Sequence, residues 1–219
     1  MAFTAQSILQ RVVITLVDPS AVRWKTAELV RYMNDGQRDI ALIRPDATAT
    51  TATMALAGGA RQTLPSAGAK LLEVIRNTGG TKRAIRLTSR VILDAQAPDW
   101  YSKTGVTDIR HYTFDPREPR IFYVYPPAAS SGASVELIYS AYPTDITEPG
   151  GSALYTDVTG NISVADIYAN ALVNYILYRA YSKDSENSLN ATLAASFYQL
   201  YQTMLNTELS GTTGVAPKD

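Results

Sequence analysis

Residues 111–127, HYTFDPREPRIFYVYPP, place the chain's only histidine close to Asp115, Arg117, Glu118 and Arg120. A histidine oriented by a carboxylate within hydrogen-bond reach is a general acid or base near neutral pH. Asp108 and Asp115 are candidate partners, and Asp94, Asp99 and His111 together would be the raw material of a hydrolase. Asp94, Asp99 and Asp108 also offer three carboxylates to a calcium ion, but their spacing does not fit an EF-hand loop and no glycine falls at its required position. Aspartates in loops are ordinarily caps and turn formers. Trp100, Tyr101 and Tyr112 carry flat faces that stack on a sugar or a base, although such residues more often cover a core edge or seal an interface.

The elements around these residues favour architecture over chemistry. YTF and IFYVY are β-rich and aromatic, and DPREPR between them has the prolines and charges of an exposed turn, so the stretch reads as a hairpin. Gly58-Gly59 and Gly79-Gly80 fall in turn-like surroundings and lack the Lys-Ser/Thr of a P-loop or the following helix of a dinucleotide site. The absence of cysteine removes thiolate metal sites, Cys nucleophiles and disulfides, and a single histidine disfavours zinc. The expectation is no catalytic set, no metal and no cofactor.

The chain has 219 residues, 46% of them hydrophobic, which suffices for a real core. Twenty Lys and Arg balance twenty Asp and Glu, so no net field draws it to nucleic acid or anionic lipid. The opening residues are interrupted by Thr4, Gln6, Ser7, Gln10 and Arg11, unlike a signal peptide, and no apolar run approaches the roughly 18 residues that span a bilayer. A soluble protein made in a cytoplasm and without a membrane partner is expected.

Helical periodicity covers 5–17, with Ile8, Leu9, Val12, Val13 and Leu16 on one face and Asp18-Pro19 as the stop. It returns over 26–43 with Leu29, Met33, Gly36, Ile40 and Ile43, where Gly36 suggests close approach of a neighbouring backbone. From 48 onward, Thr-rich and β-branched segments read as two hairpins, 48–65 and 71–90, then a loop with one helical turn over 91–109, and a strand over 135–143. Ser163 is the expected N-cap of a helix to about Ser182, with Ile167, Ala171, Asn174 and Tyr178 on one face. Asp184 or Ser185 caps a last helix bearing Leu189, Leu193, Phe197, Leu200 and Met204. The fold class is therefore α+β: a four-helix bundle from the N-terminal (1–47) and C-terminal (146–205) helices, an inserted antiparallel sheet or sandwich (48–145), and a flexible tail (206–219).

Between Asn161 and Leu205 only five residues are charged, yet the segment holds Tyr168, Tyr175, Tyr178, Tyr181, Tyr198 and Tyr201. Charge depletion with aromatic enrichment distinguishes protein interfaces from ordinary surface, so these tyrosines are candidates for subunit or partner contact.

GARQTLP (59–65), LLEVIRN (71–77), PDWY (98–101), FDPREPRIFYVYPP (114–127) and LYRAYSKDSEN (177–187), with YMNDGQRDIALIRPDA (32–47), form an ordered series across roughly residues 5–205. The series resembles the head–tail adaptor (connector) proteins of short-tailed bacteriophages, the tail tubular protein A-like group. The resemblance implies a virion structural protein at the head–tail junction. Such proteins form a ring, commonly twelve-fold, between the portal protein and the tail nozzle or tail tube protein, and viral DNA passes through its lumen. It further implies that the C-terminal segment with Gly214, Val215, Ala216 and Pro217 orders against the portal. The β-domain would face the tail, with Trp100, Tyr101, Arg117 and Glu118 at its tip. The competing expectation is a tail-associated module that reads host-surface glycan through Trp100, Tyr101 and Tyr112.

Overall fold

The computed structural model describes residues 3–183 and 187–213, with side chains as far as 206. The chain divides into two compact units, one formed by 1–47 with 143–219 and the other by 48–142. Each is α or β in character, so the class is α+β.

In the helical unit, α1 (Ala5–Leu16) begins at Thr4, whose Oγ1 accepts from the Ser7 N–H at 3.1 Å. It buries Ile8, Leu9, Val12, Val13 and Leu16, as the periodicity requires. Its end differs from expectation. Val17 adopts the left-handed region (φ 54°), its N–H donates to Ile14 O, and the Asp18 N–H donates to Val13 O. This paired closure satisfies the last carbonyls before Pro19 has any effect. The Asp18 carboxylate then receives the N–H groups of Val22, Arg23 and Trp24 at 2.8–2.9 Å and sets the path into α2 (Thr26–Ile43).

Leu29, Met33, Gly36 and Ile40 are buried on α2, but Ile43 is half exposed because the last turn rotates out of the buried stripe. Gly36 meets side chains rather than a neighbouring backbone: a Cβ there would lie 2.7 Å from Tyr175 Cδ1 and 2.8 Å from Leu172 Cδ1. Both partners belong to α4 (Ala169–Lys183). Ser163 does not cap this helix. Its Oγ is taken up with Thr144, accepting from the N–H and donating to the carbonyl, and the helix is entered through a 3-10 turn at Asp166–Tyr168. Ile167 points to solvent as a result.

The last helix, α5 (Ser188–Thr213), packs on α4 and continues past Asn206, into the stretch expected to be tail. Asp184 and Ser185, the expected caps, lie outside the described residues. Its buried stripe runs through Asn190, Ala194, Tyr201 and Leu205 with Phe197 and Met204 half buried, so Leu189 and Leu200 face outward. Helix α4 also contacts α1 and α2, and all four helices contribute to one core.

The β unit holds two sheets. β1 (Ala49–Ala55), β7 (Ser134–Ala141) and β3 (Gly68–Asn77) form one, in that spatial order. β2 (Gly59–Thr63), β6 (Ile121–Ala128), β5 (His111–Phe114) and the short β4 (Arg86–Leu87) form the other. Segments 49–55 and 59–63 are thus not a hairpin, because β1 pairs with β7 and β2 with β6. The second expected hairpin survives only as a closure around the Gly79-Gly80 turn, with Arg76 bridged to Ala84, before β4 turns to run parallel to β5. Residues 91–109 contain more helix than expected: α3 (Arg90–Gln96) and a 3-10 turn at Trp100–Ser102. Leu71, Val74, Val135 and Leu137 from one sheet and Tyr112, Phe122 and Val124 from the other fill a shared core. No described helix is long and apolar enough to cross a membrane.

Candidate interaction sites

The stretch that opens the sequence question is a hairpin. His111–Phe114 and Ile121–Ala128 pair antiparallel, and the turn between them is closed by Asp115, which accepts from the Arg117 backbone and guanidinium. That contact holds the Asp115 carboxyl down at about 2. Both residues of the pair serve the turn, and neither reaches His111. His111 Nδ1 is buried without a partner, and its ring lies beside Tyr125 at 6.3 Å. Burial, together with the charges of Arg83, Arg86 and Arg110, pushes the imidazole pKa down. A neutral imidazole with no carboxylate orienting it lacks the dyad that acid–base catalysis needs.

The loop aspartates are likewise occupied. Asp94 accepts from Trp100 Nε1 at 2.9 Å and lies 3.5 Å from Arg90, Asp99 faces Lys103, and Asp108 accepts from Thr81. Among the described residues no three His, Cys, Asp or Glu side chains gather as a metal site.

Trp100 is fully buried, packed with Ala60 and Leu93, stacked on Tyr101 at 3.8 Å and edge-on to Tyr123 and Tyr125. Tyr112 is buried in the core between the sheets. Neither has a face to offer a sugar, which removes two of the three stacking residues expected of a glycan site. Nor can Trp100 stand at a contacting tip. Tyr101, Arg117 and Glu118 are exposed.

The six tyrosines do not share one surface. Tyr168, Tyr175 and Tyr201 are buried, Tyr178 and Tyr181 are half buried, and Tyr198 is 39% exposed. Tyr175, Tyr178, Tyr198 and Tyr201 form a chain of ring contacts, with centroids 4.9–6.3 Å apart, that runs along the seam of α4 and α5. The hydroxyls of the three buried tyrosines are anchored: Tyr201 donates to Asp39, Tyr168 to Asp46, and Tyr175 accepts from Arg179. Burial and the Asp39 carboxylate push the Tyr201 phenol well above its ordinary value. Much of the aromatic enrichment is therefore internal packing.

What α5 leaves outward carries no charged side chain from Asn187 to Thr207, with Leu189 and Leu200 exposed along one edge of the buried stripe and Tyr198, about half a turn away around the helix, along the other. The tyrosine count pointed to this helix, but the outward residues are found only from its rotation. Gly214, Val215, Ala216 and Pro217 lie outside the described residues.

No curated protein matches the chain. A family model described as "SU10 adaptor protein" matches residues 3–217, nearly its whole length. The chain belongs to the SU10 adaptor protein family, phage head–tail adaptors, and is a structural adaptor rather than an enzyme.

Proposed function

We propose that copies of this chain assemble as a ring between the capsid portal and the tail, with a lumen through which viral DNA passes. The family match over residues 3–217 carries the reading. In it, the first two and last two helices act as one four-helix bundle around the channel, and the unit of 48–142 faces the tail nozzle or tail tube. Rings arise from heterologous contacts, which need two different adhesive surfaces on each subunit. The edge of α5 that carries the exposed Tyr198, with the half-buried Tyr178 beside it, supplies one of them. Apolar and aromatic groups free of charge lose little on desolvation, which suits a buried contact. Tyr101, Arg117 and Glu118 are assigned to tail contact, and the segment with Gly214–Pro217 to the portal.

Sedimentation of the purified chain with portal rings from the same phage tests the assignment. Cosedimentation at fixed stoichiometry is expected. A chain that stays at monomer size beside an active portal overturns the ring.

A further inference from the structure

The balanced net charge conceals an uneven distribution. Residues 48–142 carry eleven Lys and Arg against seven Asp and Glu, whereas the rest of the chain carries nine against thirteen. The positive excess has a focus. Parallel pairing of β4 with β5 sets Arg86 beside His111, and antiparallel pairing sets His111 beside Tyr125 on β6. The Arg86 N–H donates to Arg110 O at 3.1 Å, so a second arginine adjoins the first, and the Arg110 N–H donates to Tyr125 O at 2.9 Å. Arg83 is tied to the same place by the buried Asn77, whose Nδ2 donates to Arg83 O and Ile109 O and whose Oδ1 accepts from the Ile109 N–H. One side chain thus fixes the segments bearing Arg83 and Arg110 against each other. The lowered pKa of His111, in which burial is joined by the charges of all three arginines, reflects the same convergence.

Arg83, Arg86 and Arg110 are exposed, and none forms an ion pair with a described residue. Four of the seven carboxylates of this unit are paired with other cations: Glu136 with Arg76, Asp94 with Arg90, Asp99 with Lys103, Asp115 with Arg117. Asp108, two residues before Arg110, accepts from Thr81 at 3.4 Å instead. Three like charges held together without a counter-charge favour an anion that bridges them.

The geometry points to a contact surface for the phosphate backbone of nucleic acid, formed by Arg83, Arg86 and Arg110 around His111 and Tyr125. Planar guanidinium forks bind phosphate oxygens bidentately. Duplex DNA carries one charge per about 1.7 Å of axis, a line density suited to cations spread over adjacent strands rather than gathered in a pocket. Half-buried aromatic rings beside the arginines fit the same ligand. The inference rests on the charge arrangement of a single chain and does not depend on the ring.

The test is fluorescence anisotropy of a labelled duplex titrated with the full chain at salt concentrations from about 50 to 200 mM. Weak binding is expected, with a Kd of about 10⁻⁴ to 10⁻⁶ M. Three neutralised phosphates give a slope of log K against log salt of about −2.7, an affinity loss of about 40-fold over that range. The triple substitution Arg83→Gln, Arg86→Gln, Arg110→Gln should abolish binding with the melting temperature unchanged, and each single change should flatten the slope by about 0.9. Arg76→Gln, which removes an exposed cation already paired with Glu136, should leave affinity intact. No binding at low salt, undiminished binding by the triple variant, or tighter binding of polyglutamate than of DNA would each overturn the proposal; the last would assign the surface to an acidic protein.

Discussion

Gly36 on α2 and Tyr175 on α4 approach so closely that a methyl group on the glycine would stand 2.7 Å from Tyr175 Cδ1 and 3.2 Å from Cγ. Two effects oppose each other in Gly36→Ala. Alanine gains about 1 kcal/mol in a helix interior. Against this, the Tyr175 ring is held by Tyr201 at 5.3 Å and Tyr178 at 6.0 Å and cannot swing aside without disturbing both. Overpacking of a fixed core costs about 1–3 kcal/mol. Gly36→Ala is therefore expected to be destabilising on balance, by up to about 2 kcal/mol, read from the denaturation midpoint. An unchanged or raised midpoint would mean that the helices separate freely.

Val17→Gly should move stability the other way. Val17 holds φ 54° at the end of α1 and is 84% exposed, so its side chain packs little and strains the backbone. The left-handed conformation costs an L-residue roughly 1–2 kcal/mol, and glycine returns part of that as unfolded-state entropy. A net gain of about 0.5–1 kcal/mol follows, with the hydrogen bonds to Val13 and Ile14 retained. A loss of stability would show that Val17 contributes packing the exposed position does not suggest.

Asp18 supplies an acid-sensitive contribution. Burial opposes its charged form, but the N–H groups of Trp24, Val22 and Arg23 outweigh burial and lower its pKa. An aspartate depressed in the folded state stabilises fully above its unfolded value of 3.8, and that contribution is lost as pH falls through the lower folded value. Asp18→Ala should cost about 2–3 kcal/mol at neutral pH, since it strands three donors. The difference from wild type should shrink as pH falls below 3.8 and on through the lower folded value. A gap that stays constant into acid would assign the effect to packing.

Strand β3 shows why the elements were legible while their partners were not. Its buried residues, Gly68, Leu71, Val74 and Asn77, recur every third position, a spacing that neither a flat strand nor a helix produces. The cause is a series of register shifts against β7, each turning the next side chain by one place. β-branched composition identified the strand, but the bulges depend on the partner. The same holds for β1 and β2, whose glycine link reads as a hairpin and whose partners lie at 121–141. On α5 the apolar spacing identified a helix, yet the rotation that buries Tyr201 and exposes Leu200 is set by Asp39 and α4. The arginine surface was hidden differently: Arg83 and Arg86 are separated by 24 or more positions from Arg110, and the parallel β4–β5 pairing and the hydrogen bonds of Asn77 join them.

Tyr198 and Tyr201 provide a paired test of the α5 face. Their rings lie 6.3 Å apart, yet Tyr201 is buried with its hydroxyl on Asp39 while Tyr198 is exposed. Tyr201→Phe should lose about 2 kcal/mol, the worth of a hydrogen bond to a carboxylate, and should leave binding to portal rings unchanged once folded. It should also reduce alkaline sensitivity: a phenol whose folded pKa is raised keeps a proton that the unfolded chain sheds near pH 10, so stability falls above that value. Tyr32, raised to about 12 by burial and Glu28, adds to the same fall. Tyr198→Ala should cost about 1–2 kcal/mol, because much of its ring is already removed from water against Tyr178 and Tyr201. If α5 is an interface, the same variant should weaken cosedimentation at least tenfold, as loss of a central aromatic anchor does. Retention of full assembly by Tyr198→Ala would remove this edge of α5 from the ring contact and leave Tyr198 as ordinary exposed surface.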